Sequence, residues 1–297
     1  MAKIYGVVST KGGVGKTSFS AQFGGILADM GQRVLLVDAD FQQSLSSYYQ
    51  IRQRAPDGLS RLITAADPDG CISTTEIGNL DIVISDDASQ KLLDWLRESI
   101  NHSFHLAAAL KKIGDRYDYV IIDSQGARGI LQQSIILASH ELISPIVPEY
   151  LDSQEFIRGT VAMLKSLEPA DGIGIPMPNI PNLTGLIYKQ DRTSDSQTIA
   201  NVLRKRFHSA SDGKIRILSA YIPLMSAYKK AAARRLPVHR VETRRRSDSP
   251  TPSALESYLA VVHELLPHLS DVTPTWTNGA GQSVTINPDK PRQGEPT

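Results

Sequence analysis

The chain holds a single cysteine, Cys71, among 297 residues. One thiol can make neither an internal disulfide nor a thiolate metal cluster, which fits a reducing cytoplasm and argues against an iron–sulfur role. Long apolar runs are missing as well. No stretch approaches the roughly 20 residues of a membrane span, and no signal-peptide pattern precedes the first apolar run. His102, His105, His140, His208, His239, His263 and His268 show no zinc spacing and stand beside no cysteine pair. Net charge is nearly absent too, at +1. What is present is 41% hydrophobic content on a chain long enough to bury one sizeable core, so a soluble, cytoplasmic protein is expected.

The small net charge conceals an uneven distribution. Residues 201–246 hold 13 Lys/Arg against Asp212 and Glu242, a local +11, while the rest of the chain carries 19 basic and 29 acidic residues. Such asymmetry points to a surface that meets a polyanion, although a basic run also serves as a plain solvated face.

Short β-rich apolar runs at 4–9, 34–38, 80–84, 119–123, 142–147, 183–188 and 215–222 alternate with helical patterns. This alternation predicts an α/β fold with a doubly wound, mainly parallel sheet flanked by helices. Phe19, Phe23, Ile26 and Met30 recur at helical spacing and Gly31 supplies a stop, predicting a helix with one face on the sheet. Leu255, Tyr258, Leu259, Val262, Leu265, Leu266 and Leu269 trace a second core helix, starting after Pro252 and Ser253. One domain is expected over residues 1–269. Residues 270–297 are polar and punctuated by Pro274, Pro288, Pro291 and Pro296, so they are expected to form a disordered tail that includes Trp276.

Lys11-Gly12-Gly13-Val14-Gly15-Lys16-Thr17-Ser18 lies directly between the first predicted strand and the first predicted helix. Glycines let successive N–H groups converge on one concavity at a helix start, where phosphate oxygens are favoured. Lys16 is placed to reach the β- and γ-phosphates and the Thr17 hydroxyl to ligate Mg²⁺. A glycine turn that merely joins strand to helix would not call for a Lys-Thr pair. Residues 34–40, Val-Leu-Leu-Val-Asp-Ala-Asp, form a buried-strand pattern ending in Asp38 and Asp40 on one face. Tyr119-Val120-Ile121-Ile122-Asp123 delivers another carboxylate at a strand end, either towards Mg²⁺ or as a simple cap.

The loop 11–18 departs from the general phosphate-loop pattern, with Lys11 near the place of a glycine, and closely resembles the deviant Walker A loop of the ParA/MinD family. The resemblance implies a P-loop NTPase fold and an ATP hydrolase using ATP and Mg²⁺, with nucleotide contacts from Gly12, Gly13, Val14, Gly15, Lys16, Thr17 and Ser18. It makes Lys16 the cis lysine and Lys11 the lysine that crosses into a partner subunit. A second cation near the phosphates can neutralise charge developing during transfer. Asp40 is then expected to orient the attacking water, Asp38 to join the Mg²⁺ shell or hold nearby loops, and Asp123 to face Mg²⁺ with Thr17. Residues 143–150, 191–193 and 236–238 resemble later family segments, and Pro223 marks a strand end near the base pocket. The family commonly has Pro-Gln-Gly-Asn after the water-orienting acid and Thr-Pro-Pro after the later one. Here Phe41-Gln42-Gln43-Ser44 and Ser124-Gln125-Gly126 follow instead.

ParA-like and MinD-like proteins differ in what the ATP dimer holds. A MinD-like protein ends in a basic amphipathic helix for anionic lipid, which the polar Pro-rich terminus here does not resemble. The basic stretch favours non-specific double-stranded DNA instead, with Arg204, Arg206, Lys229, Lys230, Arg234 and Arg235 as expected phosphate contacts. No helix-turn-helix pattern precedes the loop. The expectation is an ATP-dependent homodimer, nucleoid-associated and released from DNA by hydrolysis that a ParB-like partner stimulates. The alternatives are a MinD-like positioning ATPase at a membrane or pole, and a non-cycling module that binds nucleotide structurally.

Overall fold

The computed structural model describes residues 1–87, 89–126, 129–167, 180–209, 213–245, 250–278 and 281–286; Arg246 and residues 287–297 lie outside them. Nine strands form one sheet: β1 Lys3–Val7, β2 Val34–Ala39, β3 Ile51–Gln53, β4 Ile72–Thr75, β5 Leu80–Val83, β6 Tyr119–Ser124, β7 Glu141–Ile146, β8 Leu183–Gln190 and β9 Ile215–Pro223. Their order is β3-β4-β5-β2-β6-β1-β7-β8-β9. The seven expected strands are all present and pair in parallel from β5 to β9. Strands β3 and β4 add an antiparallel margin that apolar periodicity did not reveal.

Alternation along the strands feeds two cores. Val34, Leu36, Tyr119 and Ile121 join one, and Leu35, Val37, Val120 and Ile122 join the other, as the period of two requires for a sheet covered on both faces. Helix Lys16–Asp29 lies in the first core and ends before Gly31, whose φ of 79° is the left-handed stop that glycine tolerates. The helix was expected to bury one face, yet most of its circumference is buried. The second layer explains this: helix Ala254–Leu265 packs over it and stacks Tyr258 on Phe19, with ring centroids 6.4 Å apart. That outer helix starts at Ser253, whose hydroxyl accepts from the Glu256 N–H while Glu256 accepts from the Ser253 N–H, closing a reciprocal cap.

A buried tie joins the two ends of this layer. The Asp29 carboxylate accepts from Arg240 Nε at 2.7 Å and Nη2 at 2.5 Å, and lies 2.7 Å from His239 Nε2. The expected disordered tail is corrected here in part. Strands β10 Thr275–Thr277 and β11 Ser283–Thr285 form an antiparallel hairpin, and the Trp276 ring sits 5.8 Å from both the His239 ring and the Arg240 guanidinium. One aromatic side chain with a cationic partner supplies the contact that polar composition understated.

Candidate nucleotide site

The loop 8–15 leaves β1 at the carboxyl edge of the sheet, between β6 and β7, and opens helix Lys16–Asp29. Open parallel sheets bind ligands at this edge. Gly13 (φ 78°) and Gly15 (φ 104°) hold the left-handed conformations that curl the loop. A Cβ on Gly15 would lie 2.3 Å from Tyr188 Cε1, so close packing also requires glycine there. Among the described residues, the N–H groups of Gly12 to Gly15 find no protein acceptor. Unpaired amides at a helix start form the cradle that phosphate oxygens fill.

Lys16 is buried at the mouth of this cradle and donates to the Lys11 carbonyl at 3.2 Å. Burial lowers its ammonium pKa, and the Asp123 and Asp40 carboxylates oppose that shift. Register places Asp38 and Asp123 side by side on β2 and β6, both fully buried. Burial pushes the Asp123 carboxyl up to about 7; the Asp38 charge adds to this, while Thr17, Lys16 and Ser20 pull it down. Ser20 Oγ donates to Asp123 Oδ1 at 3.1 Å, whereas Asp123 Oδ2 is buried without a hydrogen-bond partner. An orphaned carboxylate oxygen beside the Thr17 hydroxyl suits a hard divalent cation, so the residues fit Mg²⁺.

Asp38 is differently engaged. Its Oδ2 accepts from the Ser46 N–H and hydroxyl, both at 2.7 Å, and its Oδ1 from the Asp40 N–H at 3.2 Å. Of the two roles the resemblance allowed, this geometry matches loop holding. Asp40 is half-buried, accepts from the Gln42 N–H at 3.0 Å, and lines an open cleft of about 650 Å³ with Gly12, Lys16, Thr17, Gln125 and Lys189. Lys11 is ion-paired with Asp152 of helix Tyr150–Glu155 in its own chain. Pro223 lines a neighbouring cavity of about 330 Å³ with Gln190, Asp191 and Met225, where the ends of β8 and β9 meet.

Two contributors escaped the sequence reading. Gly126 is packed so closely that a Cβ would lie 2.8 Å from Gly12 Cα, which ties the loop after β6 to the phosphate cradle. Lys189 donates from Nζ to the Gly13 carbonyl at 2.9 Å. Nothing local marks either residue, because both meet the cradle only through the fold.

The expected DNA contacts divide. Lys229, Lys230, Arg234 and Arg235 are exposed on and just after helix Ala227–Arg234, whose Ala232 lines the nucleotide cleft, and Arg206 is exposed on helix Ser194–Ser209. Arg204 is corrected: its Nε and Nη2 donate to the Leu218 and Ser219 carbonyls at 2.9 and 3.1 Å. On β9, those acceptors lie along an outer strand of the sheet, and the guanidinium is committed to them.

An AAA-domain family model matches residues 2–168. The chromosome-partitioning ATPase Soj of Treponema pallidum is 32% identical over 59% of this chain and 70% of its own length. The chain belongs to the ParA/MinD family of P-loop ATPases. The sporulation initiation inhibitor protein Soj of Bacillus subtilis, a second ParA/MinD-type relative, is 34% identical over 50% of this chain, and the match spans 60% of that protein's length. A solved complex of Cyanothece McdA with ATP superposes with a TM-score of 0.71 at 24% identity, covering 90% of this chain and 96% of that one, and shares the ParA/MinD fold. Among the described residues, no helix is long and apolar enough to cross a membrane.

Proposed function

We propose that the chain is an ATP hydrolase of the partition type, which dimerises on Mg-ATP, binds DNA without sequence preference, and is released by hydrolysis that a ParB-like protein stimulates. One observation carries the reading: the glycine cradle with buried Lys16 adjoins a helix that turns its cationic face to solvent. Nucleotide and polyanion surfaces therefore share a border, at Ala232. The names of the Soj relatives, which concern chromosome partitioning and sporulation, agree with a role in positioning DNA.

In this reading, loop N–H groups and Lys16 hold the triphosphate, and the cavity at Pro223 takes the base. Thr17 and Asp123 would hold Mg²⁺, which supplies neutralisation of phosphate charge when bound. Asp40, which lines the same cleft, orients the attacking water. Its hydrogen bond to the Gln42 N–H fixes the carboxylate while leaving the second oxygen for that water. Lys11 exchanges Asp152 for the partner subunit's nucleotide, and both basic helices then act together on the duplex.

A DNA mobility shift with ADP, ATP and a non-hydrolysable analogue tests the proposal, on wild type and Lys16→Ala across a salt series. Retention is expected only with ATP or the analogue, and it should weaken steeply as salt rises. A shift independent of nucleotide or salt overturns it. Retention on anionic vesicles instead of DNA would establish the membrane alternative.

A further inference from the structure

Lys189 occupies a conformation that a long side chain rarely adopts. Its φ is 59°, in the left-handed region that L-residues other than glycine seldom occupy. The pairing of β8 with β9 shifts register between Tyr188 and Gln190, so the departure lies at the irregularity that ends the ladder. The local distortion brings two neighbours onto the phosphate loop. Tyr188 presses its ring under Gly15, and Lys189 reaches across the rim of the cleft to the Gly13 carbonyl, 176 residues away in sequence.

That hydrogen bond has a geometric result. The described backbone contains no cis peptide, and a trans peptide points its C=O and N–H in opposite directions. Holding the Gly13 carbonyl on Lys189 therefore aims the Val14 N–H away from Lys189, and that amide is one of the unpaired ones of the cradle. With the peptide turned over, a carbonyl oxygen would face phosphate oxygens and repel them. Gly13 has no side chain to resist such a turn.

We infer that Lys189 is a positioning residue for nucleoside triphosphate binding, which locks the Gly13–Val14 peptide with its amide towards the phosphates. The inference rests on the reading of the cleft as a nucleotide site. Lys189 acts through the loop backbone, so its loss lowers affinity and leaves the chemical step intact. Arginine, which keeps a cationic donor of similar reach, preserves the function.

The test measures Mg-ATP binding and steady-state turnover for wild type, Lys189→Met and Lys189→Arg, with nucleotide-free melting as a folding control. For Lys189→Met the dissociation constant and KM should rise roughly tenfold, the size of one charge-assisted hydrogen bond, with kcat held within about twofold. Lys189→Arg should recover most of the affinity, and the Val14 amide resonance should respond to nucleotide in wild type and Lys189→Arg but not in Lys189→Met. Equal binding by wild type and Lys189→Met overturns this inference and leaves the nucleotide reading standing. A folded wild type that binds no Mg-ATP overturns both. Should Lys189→Met not fold, Lys189→Gln is measured against Lys189→Arg: weaker binding by the glutamine variant supports the inference, and equality with wild type overturns it.

Discussion

Asp123 has no exposed surface, and its two oxygens have different surroundings: one accepts from Ser20 and the other has no hydrogen-bond partner. The folded-state pKa, about 7, stands above the ordinary carboxylate value near 4, so between those limits the folded chain binds the extra proton. This group's contribution therefore makes the nucleotide-free protein less stable as pH rises from about 4 to about 7. Asp123→Asn should raise the melting temperature of the nucleotide-free protein at pH 7.5, by about 1–3 kcal/mol of stability, and abolish the Mg²⁺ dependence of nucleotide binding. Calorimetry with and without Mg-ATP reads both effects. Gly15 supplies a second prediction at this scale. With φ at 104° and Tyr188 against the missing Cβ, Gly15→Ala should eliminate nucleotide binding in a titration while the sheet persists by circular dichroism.

Helix Ala227–Arg234 is the element on which the polyanion reading turns. Reversing Lys229, Lys230, Arg234 and Arg235 to glutamate should weaken binding to unrelated duplexes equally, flatten the salt dependence, and leave nucleotide affinity within about twofold. Arg204→Ala should behave in the opposite manner. It should cost about 1–3 kcal/mol of stability in urea titration, because two edge carbonyls lose their donor, and should change the salt dependence little. The seven parallel strands were legible because apolar runs with turn signals between them specify βαβ units, and the phosphate loop because its spacing is unusual. The short strands β3 and β4, with polar residues such as Arg52, Gln53 and Ser73, carry too little alternation to declare themselves. Arg204, Gly126 and Lys189 act through backbone groups distant in sequence, and residue type alone does not encode such partners. The placement of Asp40, Thr17 and Asp123 at the carboxyl edge of the sheet was legible for the converse reason: each stands at a strand end or helix start whose pattern was plain.

Across the whole molecule, Asp29, His239 and Arg240 fasten the first helix to the last third of the chain. Burial alone would raise the Asp29 pKa, yet the Arg240 and His239 hydrogen bonds override it and hold the carboxyl below its usual value. A depressed carboxylate contributes stability above its unfolded pKa and loses it as pH falls, so acid unfolding should begin below about pH 4 through this group. Asp29→Ala should cost about 3–5 kcal/mol, since it leaves Arg240 partly buried without its partner, and chemical denaturation measures the loss.

The margin at β9 limits how copies of this chain can grow together. Glu264 takes the Ser219 and Ala220 N–H groups at 2.9 and 2.8 Å, while Arg204 takes the Leu218 and Ser219 carbonyls. Donors and acceptors along that stretch are already saturated, so an incoming strand finds no ladder to extend. An assembly that met this stretch would have to be built through side-chain surfaces, and the stretch itself offers no template for fibrous β-aggregates.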